Sequence, residues 1–460
     1  MMAFKNIVCP VCGASCDDIQ VELAGDKLTV KNACKMGNAK FQEVVSSHRI
    51  KDPMIFEDGD GDGNGDGNGD GNGDGNGDGN GDGDGNFRKA EWSEAIEKAS
   101  KILLGAKRPL IFMGSETSCE AMEVGLHLGE YLGAVVDSNS TVCHGPTAMG
   151  IQEAGRVGST AGQGKQRADL TIYWGTNPLE SMPRHMSRYA IYPRGYWTRR
   201  GRFDRTVITV DPRRSKTAEN SDLHVQLKPN TDYELLSALL TILHGKRPHP
   251  SAEEVTGVSI DQMEEMVEMM KSCNFGAIYV GLGIASSYGK HRNAELAFNL
   301  VKELNSHTKF VIGALRGHCN VAGFNQVASY LYGYPFGLDF SRGYPRYNPG
   351  EFTAVDLLRE RDVDAALIVS ADLASHFPAD CARYLAEIPV VCIDIAPCPT
   401  TMVSDVVLPG VIDAMECDGT FYRLDDVPIY FRPFTSSPFE FTASNEDTLK
   451  QLFSRVKATR

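Results

Sequence analysis

The chain has 460 residues, 42% of them hydrophobic and 23% charged, with a formal net charge of −14 at pH 7. This length accommodates roughly three domains and a large core. No apolar run is long enough to span a bilayer, so membrane insertion is not expected, and the acidic balance argues against a general nucleic-acid binder.

The first element is the run CPVCGASC…NACKMG, which places Cys9, Cys12 and Cys16 on one short loop and Cys34 at a distance. Three thiolates on a tight loop with a fourth from afar suit a cubane iron–sulfur cluster. A structural zinc site also takes four thiolates, although zinc ribbons pair two C-x2-C knuckles. Twelve cysteines in a chain starting MMAFKNIVCP, with no export signal, point to a reducing cytoplasm and metal ligation rather than disulfides. Cys119, Cys273, Cys319, Cys381, Cys392, Cys398 and Cys417 show no ligand spacing and read as buried small apolar residues.

Residues 58–86 alternate Asp or Asn with Gly. Such a stretch has nothing apolar to bury and the highest backbone entropy, so it reads as a disordered, solvated loop. Weak calcium binding is the alternative, but the closing bidentate Glu is missing. FRKAEWSEAIEKASKILLGA follows and predicts an amphipathic helix with Ala95, Ile96, Ala99, Ile102 and Leu103 on one face.

Seven apolar, β-rich runs then each end in a glycine or turn segment: 108–117, 169–178, 205–214, 275–285, 308–317, 364–373 and 388–397. Helical stretches such as 232–243, 260–271 and 291–305 separate them. The alternation predicts α/β layers with mostly parallel sheets. Ligands of such sheets sit beyond the carboxyl ends of the strands. WGTNP, VDPRR, GLGIASS and SADLAS fall there, and several phosphate-friendly loops spread over the chain suggest one extended, nucleotide-like cofactor.

Two further segments carry chemistry. In STVCHGPTAMG, Cys143 is followed by His144. A thiolate beside an imidazole is a nucleophile with its base, a metal ligand with a proton carrier, or a buried pair with no role. In ALRGHCNVAG, Arg316 follows a strand and offers a fixed fork for a small anion, or is a surface turn.

Taken together, the four cysteines, VCHGPT, ALRGHCNVAG and SDVVLPGVIDAMECDGTF resemble the molybdenum/tungsten bis-pterin oxidoreductases, most closely the formate-dehydrogenase branch. The resemblance covers nearly the whole chain outside the repeat. It implies domains I–III of that fold, a [4Fe-4S] cluster on Cys9, Cys12, Cys16 and Cys34, and a bis-(molybdopterin guanine dinucleotide) cofactor. Cys143 would then ligate tungsten or molybdenum, His144 would carry a proton, and Arg316 would orient the anion. Contacts to the cofactor are expected at Asn177, Asp211, Arg213, Gly283, Ser286 and Asp372. Residues 1–57 and 411–460 would form the cluster domain. Residues 88–135 with 319–410 would form one pterin-binding α/β domain, and 136–318 a second.

Single-chain formate dehydrogenases continue past the G-T-F signature into a domain that caps the pterins, whereas this chain stops at Arg460. A split enzyme is therefore expected, with the capping domain on another polypeptide. That split and the wording CDGTFYRLDDVP resemble the catalytic B subunits of formylmethanofuran dehydrogenases of methanogenic archaea. The resemblance implies reversible CO2 reduction to formate with electrons from ferredoxin-like subunits, and formate passing to an amidohydrolase-like subunit. A formate dehydrogenase catalytic chain and a non-catalytic electron-transfer scaffold are the alternatives. Lys35, one residue after Cys34 rather than two, fits the family's electron-relay lysine imperfectly.

Overall fold

The computed structural model describes residues 2–25, 27–57, 86–440 and 442–460. Of the Asp/Asn-Gly segment read as a loop or calcium site, residues 58–86, positions 58–85 lie outside the described residues, and Asn86 instead opens the strand Asn86–Lys89.

The apolar runs become strands buried on both faces. Pro109–Met113, Leu170–Trp174, Phe275–Val280 and Ala365–Val369 are buried at every position, as expected where helices cover a parallel sheet on both sides. Five strands, all parallel, form one sheet in the order Leu223–Val225, Thr206–Val210, Leu170–Trp174, Phe275–Val280 and Lys309–Ala314. Chain order therefore reverses between the Leu170 and Phe275 strands, and such a reversal leaves a crevice at the strand ends. Gly175 turns there at φ 58° and accepts the Gly283 N–H at 2.9 Å. A Cβ on Gly283 would lie 2.8 Å from Gly175 Cα, so only glycine permits this approach.

The second sheet has nine strands. Its parallel centre runs Val135–Ser138, Pro109–Met113, Ala365–Val369, Val390–Asp394 and Val406–Pro409. Antiparallel pairs extend it at both edges. Here the reversal lies between the Pro109 and Ala365 strands, where Gly114 packs against the Ser370 carbonyl and Ser370 takes the left-handed region at φ 50°.

The helices follow the apolar spacing. Asp232–Leu243, Ile260–Ser272 and His291–Leu304 form where the sequence predicts them and pack on the five-stranded sheet through Leu239, Met266, Phe298 and Leu300. Trp92–Gly105 buries Ala95, Ile96, Ala99 and Leu103, with Ile102 half-buried. Among the described residues no helix is long and apolar enough to cross a membrane.

Two pieces expected to join the cysteine-rich start pack elsewhere. Met54–Glu57 pairs with Val406–Val407 and buries Ile55 in the core of the nine-stranded sheet. The last helix, Asn445–Thr459, buries Leu449, Leu452 and Val456 in that same core. The cysteine loop shares its core with the other sheet instead, through Tyr173, Tyr279 and Val311, and with Ile412, Met415 and Leu424.

One buried ion pair ties the two ends of the chain together. Arg49 donates to Glu416 through both terminal nitrogens, at 3.0 and 2.9 Å, and to the Gly410 carbonyl at 3.1 Å. Glu416 also accepts the Ile412 N–H at 2.7 Å. Both side chains are shut off from solvent. Removing one member leaves an uncompensated buried charge, at a cost of about 3–5 kcal/mol. Glu416→Ala is therefore expected to lower the chemical-denaturation midpoint strongly, whereas an apolar pair, Arg49→Met with Glu416→Leu, should recover most of the loss.

Candidate functional site

Cys9, Cys12, Cys16 and Cys34 line one small cavity, closed on one side by Pro183 and Arg184. The loop is shaped by its backbone: Cys9 N–H donates to the Cys16 carbonyl at 2.9 Å and Ser15 N–H to that of Cys12 at 3.1 Å. Cys34 caps the helix Lys35–Gln42, its sulfur accepting the Gly37 N–H at 3.4 Å. A Cβ at Gly37 would meet Cys9 Sγ at 3.3 Å and Cys34 Sγ at 3.7 Å, so glycine lets the helix backbone lie against the sulfurs. Burial pushes the Cys9 and Cys12 thiols up, against backbone N–H groups of Val11 and Ala14 that favour the thiolates. Burial also raises the Cys16 thiol, opposed by Arg184 and Arg188. Among the described residues no three Cys, His, Asp or Glu side chains are gathered tightly enough to hold a single ion. Four thiols line this cavity, with backbone N–H groups at the sulfurs, a donor set suited to soft metals.

A cleft of about 540 Å³ lies alongside. Both strand-order reversals open onto it. Leu282 comes from one, Ser115, Glu116, Ser370 and Asp372 from the other, and Pro10 from the cysteine loop. Cys143 reaches it from the end of the turn Asn139–Val142, just before the helix Gly145–Ala154. Burial pushes the Cys143 thiol up, while the Arg316 guanidinium and the His144 N–H act to lower it.

Arg316 is buried, and its Nε has no hydrogen-bond partner. Among the described residues no carboxylate pairs with it. The nearby Asp426 is committed to Arg156. Burying an unpaired cation is costly, and such a group at the end of a strand suits an anion brought in from outside.

His144 is buried, with both ring nitrogens in contact with partners inside the fold. Its Nδ1 meets Thr147 Oγ1 at 3.1 Å and its Nε2 meets the Leu315 carbonyl at 3.2 Å. A carbonyl only accepts, so Nε2 carries the proton and Nδ1 accepts from the threonine. Burial, with Arg316 nearby, lowers its pKa to about 3, which leaves a neutral ring with both nitrogens engaged.

The expected cofactor contacts divide into two groups. Asp372 lines the cleft, but also caps the helix Leu373–His376 and accepts from Thr400 Oγ1 at 2.7 Å. Asn177, Asp211 and Arg213 gather instead beyond the Leu170 and Thr206 strands, outside the cleft wall. Asn177 accepts from Thr217 Oγ1 at 2.6 Å and donates to Glu180 at 2.6 Å. Asp211 accepts the Arg213 N–H at 2.8 Å, a strand-end turn. Gly283 and Ser286 are exposed on the short helix Leu282–Ser286 beside the first reversal.

The charged wall of the cleft was not anticipated from sequence. Lys35 is exposed. Lys40, farther along the helix that Cys34 caps, lines the cleft and pairs with Glu116 at 2.7 Å and Glu43 at 2.9 Å. His318 Nδ1 lies 3.9 Å from Glu116. Burial pushes the Glu116 carboxyl up, but Lys40 and His318 together outweigh it and hold the pKa at about 2. Asp394 and Asp413, also on the wall, are pushed up to about 6 by burial. The position of Glu116 in the loop after the Pro109–Met113 strand was the available signal.

The molybdopterin oxidoreductase family profile matches residues 49–445, and the chain belongs to this family of oxidoreductases. Within it the full-length likeness is to the B subunits of formylmethanofuran dehydrogenases. The B subunit of the tungsten-containing formylmethanofuran dehydrogenase 2 of Methanococcus maripaludis is 40% identical over 99% of both chains. Its counterpart in Methanocaldococcus jannaschii is 40% identical over 98% of both. Among solved structures, acetylene hydratase from Pelobacter acetylenicus superposes with a TM-score of 0.70 at 13% identity, over 99% of this chain and 69% of its own. A chain of the formyltransferase/hydrolase complex of Methylorubrum extorquens gives 0.65 at 18% identity, over 80% and 97%.

Lys40 balances two carboxylates, and its removal has a signed pH consequence. With Lys40 present, Glu116 stays ionised from pH 5 to 8 and contributes no slope there. In Lys40→Met, burial, the largest influence on Glu116, is opposed only by His318, and the folded-state pKa is expected to rise above its unfolded value. Stability is then lost as pH rises through that folded pKa. The melting temperature of the variant should fall further below wild type at pH 8 than at pH 5.5. An equal deficit at both values would refute this account.

Proposed function

We propose that this chain is the redox catalytic subunit of a formylmethanofuran dehydrogenase, interconverting CO2 and formate. The observation that carries the reading is the unpaired, buried Arg316 beside Cys143, at a cleft flanked by the four-cysteine cavity. The names of the relatives that are 40% identical over their full length favour this substrate over free formate metabolism.

A tungsten or molybdenum ion carried by two pterin guanine dinucleotides would supply the two-electron redox chemistry. Cys143 offers that metal a soft thiolate. The Arg316 fork holds the carboxylate oxygens of formate or of the developing product and stabilises their charge. His144, bonded to the carbonyl just before Arg316, keeps the Cys143 segment and the arginine in register; this positioning role replaces the proton-carrier role. Lys40, on the helix capped by Cys34, links the cysteine cavity to the cleft and stands where Lys35 was expected. The crevices at the two reversals would receive the two arms of the cofactor, with Asp372 on one side and Gly283 and Ser286 on the other. Asn177, Asp211 and Arg213 would meet its outer end.

The cysteine cavity would hold a [4Fe-4S] cluster that passes electrons singly from ferredoxin-like subunits. Formate would leave for an amidohydrolase-like subunit, a further polypeptide would cap the pterins, and the assembly would work in the cytoplasm.

Metal analysis of the natively purified anoxic complex should return tungsten or molybdenum with iron in cluster stoichiometry. Zinc alone would sink the assignment. Cys143→Ser in that complex should keep the reduced-cluster EPR signal and abolish formate-linked electron transfer. Arg316→Lys should lower formate turnover roughly 100-fold with the cluster signal intact.

A further inference from the structure

The most conspicuous surface outside the cleft lies in the segment 191–204. Tyr192, Tyr196, Trp197 and Phe203 all stand exposed there, Phe203 at 83% and Tyr196 at 70%. Exposed aromatic clusters of this kind mark interaction sites. The segment is also basic. Residues 184–205 carry seven arginines and one aspartate, in a chain whose net charge is −14. Arg194 and Arg199 are exposed and have no ion-pair partner among the described residues.

This surface is held in shape from beneath. Arg205 is buried and donates to the carbonyls of Ala168, at 3.1 Å, and Lys165, at 2.6 Å, and to Thr198 Oγ1 at 2.6 Å. Gly201 turns at φ 65° against the Tyr192 carbonyl. Trp197 N–H donates to the Gln166 carbonyl at 3.0 Å, and Arg167 stacks on its ring. A pinned loop presenting Tyr, Trp and Arg has the composition of binding hot spots and a low ordering cost.

The chain connects this surface to the four cysteines. The same stretch of chain begins at the four-cysteine cavity, where Pro183 and Arg184 form part of the wall. Arg184 pairs with Asp18 at 2.6 Å, Arg188 with Asp18 at 2.7 Å, and Tyr189 donates to the Ala14 carbonyl at 2.9 Å. Met36 is exposed at the rim of that cavity. Electron transfer weakens steeply with distance, so a carrier serving a cluster there must dock within a short reach of it.

We propose that this arginine–aromatic loop is the docking surface for an acidic iron–sulfur electron carrier that exchanges electrons with the four-cysteine site. The inference rests on the cluster reading given above. Opposite charge steers the encounter and sets its salt dependence, and the aromatics supply the contact area.

The test uses the natively assembled anoxic complex, with formate oxidation read against two acceptors, a two-cluster acidic ferredoxin and methyl viologen. Arg194→Glu with Arg199→Glu, and separately Tyr196→Ala with Phe203→Ala, should raise the KM for ferredoxin at least 10-fold. The charge variant should also lose most of the salt dependence, and viologen-linked turnover should stay at the wild-type value. Unchanged ferredoxin kinetics in both variants would overturn the proposal. A photo-cross-linking residue at position 196 should capture a polypeptide carrying cysteine-cluster motifs, identified by mass spectrometry. Capture of a different polypeptide, or of none, would also overturn it. A wild-type complex without viologen-linked turnover would count against the catalytic reading instead, and the cross-link reports on docking in either case.

Discussion

The short stretch Leu315–Arg316 is where three distant pieces of chain must meet, and the cleft depends on that meeting. Leu315 N–H joins the end of the Phe275 strand through the Val280 carbonyl at 2.8 Å. Its own carbonyl receives His144, and so fixes the segment that bears Cys143. The Arg316 carbonyl lies against Gly13 of the cysteine loop, where a Cβ would sit 3.0 Å from it and 3.1 Å from Leu424 Cβ. Leu424 N–H in turn donates to the Gly13 carbonyl at 2.9 Å. A guanidinium kept buried without a carboxylate needs such bracing, because an unpaired buried charge favours any distortion that lets water in.

Much of the fold was legible because parallel strands covered on both faces leave uninterrupted apolar runs with glycine at their ends. Leu170–Trp174 and Ala365–Val369 are of this kind. Met54–Glu57 was missed as a strand of the large sheet because so short a segment carries no period, and its partner at Val406 lies near the other end of the chain. The cysteine site was legible because its spacing is local. Lys40 and Glu116 were not, because their pairing exists only after the helix beyond Cys34 and the loop after Met113 are brought together. For His144 the neighbour in sequence pointed to proton chemistry, while its partners in space, Thr147 and Leu315, are visible only in the fold. Asp211 shows how a strand-end acid first satisfies its own turn.

The charges divide the molecule by task. Acidic groups predominate in the chain as a whole and on the wall of the cleft, where Lys40 stands among Glu43, Glu116, Asp372, Asp394 and Asp413. Of the arginines of residues 184–205, Arg184 and Arg188 lie beside the cysteine loop on Asp17 and Asp18, and Arg200 and Arg202 are spent on Asp204 and Asp222. Net charge therefore says little about what any one face attracts. The local surplus decides that, and here it lies at Arg194 and Arg199, exposed on the loop that follows the cysteine-side arginines.

The antiparallel pairing of Glu57 with Asn86 has a practical consequence. The two points where the chain leaves and rejoins the described fold are neighbouring strand ends, separated by the few ångströms of a ladder pair. The sheet therefore imposes a single geometric demand on everything between them, that it begin and end side by side. An affinity handle, a fluorophore-binding peptide or a small folded domain with adjacent termini meets that demand as well as the native sequence does. Glu57 and Asn86 are thereby two adjacent attachment points at the edge of the nine-stranded sheet.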